Sequence, residues 1–201
     1  IRDGVLWSST GNLLLMDENT GSLTIPDSVI SIGEGAFTNL EGLKTIIIPS
    51  TVKRLEKNAF RNNKTLENVI IQEKEGEGIE YIGEGAFYGC SNLKTINLPD
   101  TITEIMDQCF YQCRQLNNIK LPLKLKELKS QTFAECTNLQ TIELSPNLEE
   151  LERESLVGIS ITKLKFPSTL KTIGVRALNI PKLREIDTSE NNYFEFKNGV
   201  L

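Results

Sequence analysis

Four cysteines, a column of glutamates and one acidic turn are the residues of this 201-residue chain that could do chemistry. Cys90, Cys113 and Cys136 recur at intervals of 23 and 23 residues, with Cys109 standing apart from the column. Thiols of this kind can ligate a soft metal, pair as disulfides or act as nucleophiles. A tetrahedral metal site needs ligands converging from several directions, which a single-file column does not offer. Cys109 and Cys113 form Cys-x-x-x-Cys, which breaks the Cys-x-x-Cys redox spacing. Three cysteines in a row and one apart do not make a disulfide framework either. Buried free thiols are expected, serving as small apolar side chains with weak S–H donors.

Glu104, Glu127 and Glu150 repeat on the same spacing. Paired carboxylates hydrolyse glycosides when they flank a sugar at roughly 5–9.5 Å and a pocket raises one pKa. An outward column on an open surface supplies no such pocket, and Lys126, Lys129 and Arg153 nearby predict a solvated, charge-compensated face. Asp17-Glu18-Asn19-Thr20-Gly21 loosely follows the start of a calcium loop. Gly21 falls where a ligand is needed and no bidentate Glu follows, so a plain turn is expected. Asn63-Lys64-Thr65 is a glycosylation sequon, relevant only in a eukaryotic source. Histidine is absent from the whole sequence. That removes Ser-His and Cys-His nucleophiles, histidine acid–base catalysis and the commonest transition-metal ligand. No catalytic residue, no metal and no cofactor are expected.

The elements that would hold these residues are repeats. Phe37, Phe60, Phe87, Phe110 and Phe133 are continued by Leu156 and Leu178, in steps of 23, 27, 23, 23, 23 and 22 residues. In register with them run Ile46/Ile48/Pro49, Ile96/Leu98/Pro99, Ile119/Leu121/Pro122 and Leu164/Phe166/Pro167. A fixed period in the 20–29 range marks a solenoid whose single units cannot bury their apolar face alone. Within a coil, Leu93, Ile96 and Leu98 alternate inward along a strand while Thr95 and Asn97 point out. Proline then ends the strand. A second short strand follows, inward at Ile102 and Ile105, and the Ala-Phe segment is expected to make about one helical turn that plugs the core.

About seven coils are expected over 23–188: 23–42, 43–65, 66–92, 93–115, 116–138, 139–160 and 161–182, with a last strand at 183–188. The third coil carries four extra residues around Glu73–Gly78, which should bulge into solvent at the strand-to-strand corner. Residues 1–22 fall outside the repeat. Gly4-Val5-Leu6-Trp7 and Leu13-Leu14-Leu15-Met16 predict a β-hairpin covering the open end of the first coil. Phe196–Leu201 closely copies Ile1–Leu6, so 189–201 read as the start of a further hairpin in a longer array. The chain does not begin with Met and is expected to be a segment of a larger protein.

Two outward columns form the candidate binding face. One contains Ile47, Ile70 and Asn97 before turning charged at Lys120, Glu143, Lys165 and Asp187. The other runs through Thr45, Asn68 and Thr95, short groups suited to hydrogen bonding. Apolar anchors ringed by polar groups are the usual composition of a binding centre, and solenoids bind through extended sheet faces. β-Propensity alone would also explain two exposed isoleucines. The net charge of −5, with acids and bases interleaved, gives no basic footprint for nucleic acid. No apolar run approaches the roughly 18–20 residues that span a bilayer.

Pro26-Asp27-Ser28-Val29 leading to Ile32-Gly33-Glu34-Gly35-Ala36-Phe37, and Ile82-Gly83-Glu84-Gly85-Ala86-Phe87-Tyr88-Gly89-Cys90, resemble the BspA-type leucine-rich repeat. The resemblance covers essentially the whole chain. It implies a right-handed leucine-rich-repeat superhelix, mainly β with short one-turn helices and a parallel sheet on one face. It further implies a bacterial or protist cell-surface or secreted protein linked to adhesion, and it supplies no catalytic residue. Two functions are expected from it: a non-catalytic module binding a protein or glycan, or a structural spacer displaying other domains. A monomer is expected in either case.

Overall fold

The computed structural model describes residues 5–6, 16–17 and 19–196, and in it the chain winds through about seven turns of a parallel β-solenoid. Two strand ladders run along its axis. The main ladder holds β3 (Ser22–Thr24), β5 (Thr45–Ile48), β7 (Asn68–Ile71), β9 (Thr95–Ile96), β11 (Asn118–Lys120), β13 (Thr141–Glu143), β15 (Lys163–Lys165) and β17 (Glu185–Asp187). The second holds β4 (Ser31–Ile32), β6 (Arg54–Leu55), β8 (Tyr81–Ile82), β10 (Glu104–Ile105), β12 (Glu127–Leu128), β14 (Glu150–Leu151) and β16 (Thr172–Ile173). Equivalent positions sit side by side: Thr45 pairs Asn68 and Asn68 pairs Thr95, while Ile46 pairs Val69 and Val69 pairs Ile96. The sequence period therefore becomes a set of straight columns along the molecule.

The first strands settle differently from the expected hairpin. β1 (Val5–Leu6) joins the second ladder parallel to β4, and β2 (Met16–Asp17) joins the main ladder antiparallel to β3. Each apolar run thus extends a different ladder, and the residues that would connect them lie outside those described. A hairpin does form one step later, where the Gly21 N–H closes on the Asp17 carbonyl at 2.7 Å between β2 and β3. Of the proposed second hairpin, 197–201 lie outside the described residues.

The Ala-Phe segments are not helices, which corrects the expected helical turns. Ala36 and Thr38 donate three residues back, to Gly33 and Gly35. The alternate N–H groups of Gly35, Phe37 and Asn39 reach across to the next coil's Lys57, Ala59 and Arg61 carbonyls at 2.8–3.0 Å. The cause is a left-handed residue on each side of the plug: Gly35 and Asn39 around Phe37, Asn58 and Asn62 around Phe60, Gln108 and Gln112 around Phe110. Alternating handedness turns every second peptide sideways, so a continuous helical ladder cannot propagate. A third hydrogen-bonded ladder joins the coils instead.

The core lies between these three sides. Phe37, Phe60, Phe87, Phe110 and Phe133 are fully buried in one stack, with centroid separations of 5.1, 5.2, 5.4 and 5.1 Å and near-parallel rings. The slot before each ring, and before Leu156 and Leu178 that continue the column, holds Ala36, Ala59, Ala86, Cys109, Thr132, Ser155 and Ala177. Thr132 satisfies its hydroxyl on the Lys129 carbonyl at 2.7 Å, whereas the buried Ser155 Oγ has no partner among the described residues. An unpaired buried hydroxyl costs free energy that an alanine avoids. Ser155→Ala should therefore raise stability by about 1 kcal/mol, read as a higher urea midpoint at unchanged slope. A lower midpoint would show that the hydroxyl has a partner.

Candidate functional site

Along β5 and β7 the alternation expected from sequence holds residue by residue. Ile46, Ile48, Val69 and Ile71 are buried, and Thr45, Ile47, Asn68 and Ile70 face outward. The two outward isoleucines are not equal: Ile70 is 45% exposed, whereas Ile47 is half-buried. Beside them the polar column is knitted together, with Thr95 Oγ1 donating to Asn68 Oδ1 at 2.8 Å and Asn68 Nδ2 to Thr45 Oγ1 at 3.5 Å. The result is a ledge of one well-exposed isoleucine bordered by linked hydroxyl and amide groups.

Asn97 does something else. Its Oδ1 accepts from the Ile71 N–H at 2.9 Å and its Nδ2 donates to the Ile71 carbonyl at 2.8 Å. The β7–β9 backbone pairing stops at Val69 and Ile96, and the Asn97 amide stands in for the next backbone pair. The third-coil insertion begins just beyond Ile71 and is exposed over 72–76, folded on itself by a Lys74–Glu77 bridge and ion pair at 2.7 Å. Asn97 thus shapes the edge of the face rather than offering a free amide. Further along, Lys163 and Glu185 pair at 2.7 Å, as do Lys165 and Glu190. Exposed pairs of this kind add about 0–1 kcal/mol each and leave the surface hydrophilic.

The other candidates fall into structural roles. Glu127 and Glu150 are register neighbours, while Glu104 lies beside Tyr81. Lys129 bonds both Glu127 and Glu152, and these carboxylates push its pKa up. The column is charge-compensated on an open surface, without the enclosed pair that glycoside hydrolysis requires. Among the described residues no group of His, Cys, Asp and Glu could hold a metal ion. Asp17 caps a plain turn, accepting from the Asn19 N–H at 2.9 Å. All four cysteines are free and buried. Cys90, Cys113 and Cys136 each direct Sγ at the phenylalanine carbonyl of the preceding coil, Phe60, Phe87 and Phe110, at 3.1–3.2 Å.

Asn63 belongs to that same column and is fully buried. Its amide nitrogen donates to the Phe37 and Phe60 carbonyls at 2.7 and 2.9 Å, and its oxygen accepts from the Leu40 N–H at 2.8 Å. With every polar atom engaged inside the core, Asn63 is no glycan acceptor. Its place three residues after Phe60, matching Cys90 after Phe87, was the signal that reveals this role. Two surface stacks went unread in the sequence: Arg61 lies 3.8 Å over Tyr88, which stacks on Tyr111 at 4.9 Å, and Arg54 lies 3.9 Å over Tyr81. They arise because residues 23 or 27 apart become neighbours, which puts Arg above Tyr in two columns.

Comparison with known proteins agrees with this architecture. The BspA type leucine rich repeat region matches in 6 copies over residues 11–77 and 75–184. No curated protein matches the sequence. The crystal structure of a leucine rich cell surface protein from Faecalibacterium prausnitzii A2-165 is similar at 28% identity and a TM-score of 0.79, over 88% of this chain and 48% of that one. A leucine-rich repeat protein from Eubacterium ventriosum ATCC 27560 is 19% identical with a TM-score of 0.72, over 90% of this chain and 47% of that one. The T. pallidum leucine rich repeat protein is 22% identical with a TM-score of 0.65, over 82% of this chain and 72% of that one. The last two are likenesses of fold alone. The chain spans about half the length of the Faecalibacterium and Eubacterium structures, at 48% and 47%.

Proposed function

The chain belongs to the BspA-type leucine-rich-repeat family, and from that premise we infer that it is a non-catalytic binding module of a cell-surface or secreted protein. It engages a protein or glycan through the main sheet face of its first four coils, at Ile70 and Ile47 with Thr45, Asn68 and Thr95. The observation that carries this reading is Ile70, a large aliphatic side chain 45% exposed on β7, between β5 and β9 in the five-stranded part of the main ladder. A large aliphatic side chain flanked by hydrogen-bonding groups is what a desolvated binding centre needs. Surface placement is supported by the Faecalibacterium relative, described as a cell surface protein. No helix among the described residues is long and apolar enough to cross a membrane.

The test is binding of the purified chain to immobilised matrix proteins and glycans, compared with Ile70→Asp. The variant should lose at least about tenfold in affinity, since a central anchor contributes roughly 2 kcal/mol or more. Its stability should stay within about 0.5 kcal/mol, as expected of an exposed position. Lys163→Glu, in the charged half, should bind as the parent does. A parent chain that binds nothing on the panel favours the spacer reading, in which the solenoid only displays other domains.

A further inference from the structure

Both strand ladders break between the same two coils. The main ladder is continuous from β2 to β9 and resumes at β11, and the second is continuous from β1 to β10 and resumes at β12. The main ladder parts again between β13 and β15, but there the second ladder runs unbroken from β12 to β16. Between coils five and six both ladders hold through repeated backbone bonds. Gln140 donates to the Asn117 carbonyl, Leu121 to Glu143, Glu149 to Lys126 and Glu152 to Leu128, all at 2.7–2.9 Å. The equivalent N–H groups at the break belong to Asn117, Leu98, Lys126 and Lys129, and none of them reaches the neighbouring coil's backbone.

The third side is intact across the same boundary. Gln108, Phe110 and Gln112 donate to the Ser130, Thr132 and Ala134 carbonyls, each at 2.9 Å, and Phe110 stacks on Phe133 at 5.1 Å. Coils four and five are therefore joined along one edge and parted along the other two. At the parted corner, side chains replace backbone: Asp100 Oδ1 accepts from the Leu123 N–H at 2.9 Å, and Asp107 Oδ1 from Ser130 at 3.2 Å. A cleft of about 390 Å³ lies between β10 and β12, beside Thr103, Ile105, Lys124 and Lys126. Another of about 360 Å³ lies on the main face, beside Leu98, Pro99, Asn118 and Lys120.

A side-chain clasp is also missing at this boundary. At three boundaries a threonine two residues after proline clasps the coil before it: Thr51 on the Val29 carbonyl at 3.0 Å, Thr101 on Ile79 at 2.7 Å, Thr169 on Leu148 at 2.7 Å. Gly78 and Asn147 hold the position at two more, where both ladders are paired. At the break that position is Lys124, which has no hydroxyl to place on the Ile102 carbonyl. The break also falls where the outward column passes from Ile70 and Asn97 to Lys120.

We propose that the solenoid is two rigid blocks, 19–115 and 116–196, hinged along the Phe110–Phe133 edge and opening at the Asp100–Leu123 corner. Such a hinge sets the angle between the apolar half of the sheet face and its charged half. Small rotations about a retained edge are the usual way packed elements move without unfolding.

Amide hydrogen exchange on the native chain tests this within one molecule. Asn117, Leu98, Lys126 and Lys129 should exchange roughly 100-fold faster than Gln140, Leu121, Glu149 and Glu152, their equivalents at intact boundaries. Lys124→Thr, which restores the clasp, should slow Lys126 and Lys129 at least about tenfold and leave Glu149 and Glu152 unchanged. Spin labels at Asp27→Cys and Ser168→Cys, both exposed corner positions, should give a broad distance distribution that narrows in Lys124→Thr; the native thiols are buried and stay unlabelled. Equal protection at the two sets of amides, or a distribution that Lys124→Thr leaves unchanged, overturns the hinge.

Discussion

Replacing Phe110 by alanine will cost about 3–5 kcal/mol, enough to consume much of the stability of a domain this size. The ring is fully buried and lies 5.4 Å from Phe87 and 5.1 Å from Phe133, so its removal leaves a cavity open to both neighbours. Each stacked contact adds roughly 0.5–1.5 kcal/mol beyond the area buried, and two are lost at once. Because each coil touches only the next, the damage should spread along the axis by weakening the interfaces on either side. Phe110 also sits on the one edge that holds coils four and five together. Urea melts should show a lower midpoint and a broadened transition, as the two blocks begin to unfold separately. A loss below about 1 kcal/mol would mean that the ring is not the plug.

The second large effect is alkaline. Burial pushes the Cys90 thiol up to about 12 from an ordinary value of 9.0, and it also pushes Cys109, Cys113 and Cys136 upward. In the unfolded chain these thiols ionise near pH 9, while in the folded chain they stay neutral. Their contribution is thus complete below pH 9 and is lost as pH rises through the folded values. Each thiol then adds a slope of up to about 1.4 kcal/mol per pH unit, so the four free cysteines together approach about 5–6 kcal/mol per unit. Stability should collapse within one to two units above pH 9. Replacing all four cysteines by alanine should flatten that slope, whatever it does to stability at neutral pH. An unchanged alkaline slope would place the thiols in contact with solvent.

Much of the fold was written in the spacing. Phe37 to Phe133 and Cys90 to Cys136 announce columns because a coil returns each position to its neighbour, and inward and outward positions along β5 and β7 follow from strand alternation. The helical turns were misread because left-handed residues are obvious only where they are Gly35, Asn39, Asn58 or Gly85. In the later coils the same backbone is carried by Gln108, Gln131 and Glu135, whose side chains give no hint of it. The seam between coils four and five was illegible for a similar reason. Lys124 stands where three other coils carry threonine, but Gly78 and Asn147 stand there too at boundaries whose ladders hold. Asn97 was read as a free outward amide because sequence cannot reveal that the pairing of β7 ends one residue short.

The proposed binding face was legible as a contrast within one column, with Ile47 and Ile70 ahead of Lys120. Exposure then divided the pair in favour of Ile70. The most direct test of the binding-module account is an exchange footprint: backbone protection measured with and without the panel glycan or matrix protein that binds most tightly. The account predicts slowed exchange confined to Thr45–Ile48, Asn68–Ile71 and Thr95–Ile96, with Lys163–Lys165 and Glu185–Asp187 unchanged. Protection on the charged strands or on the Phe-bearing turns, with β5 and β7 unaffected, would contradict it.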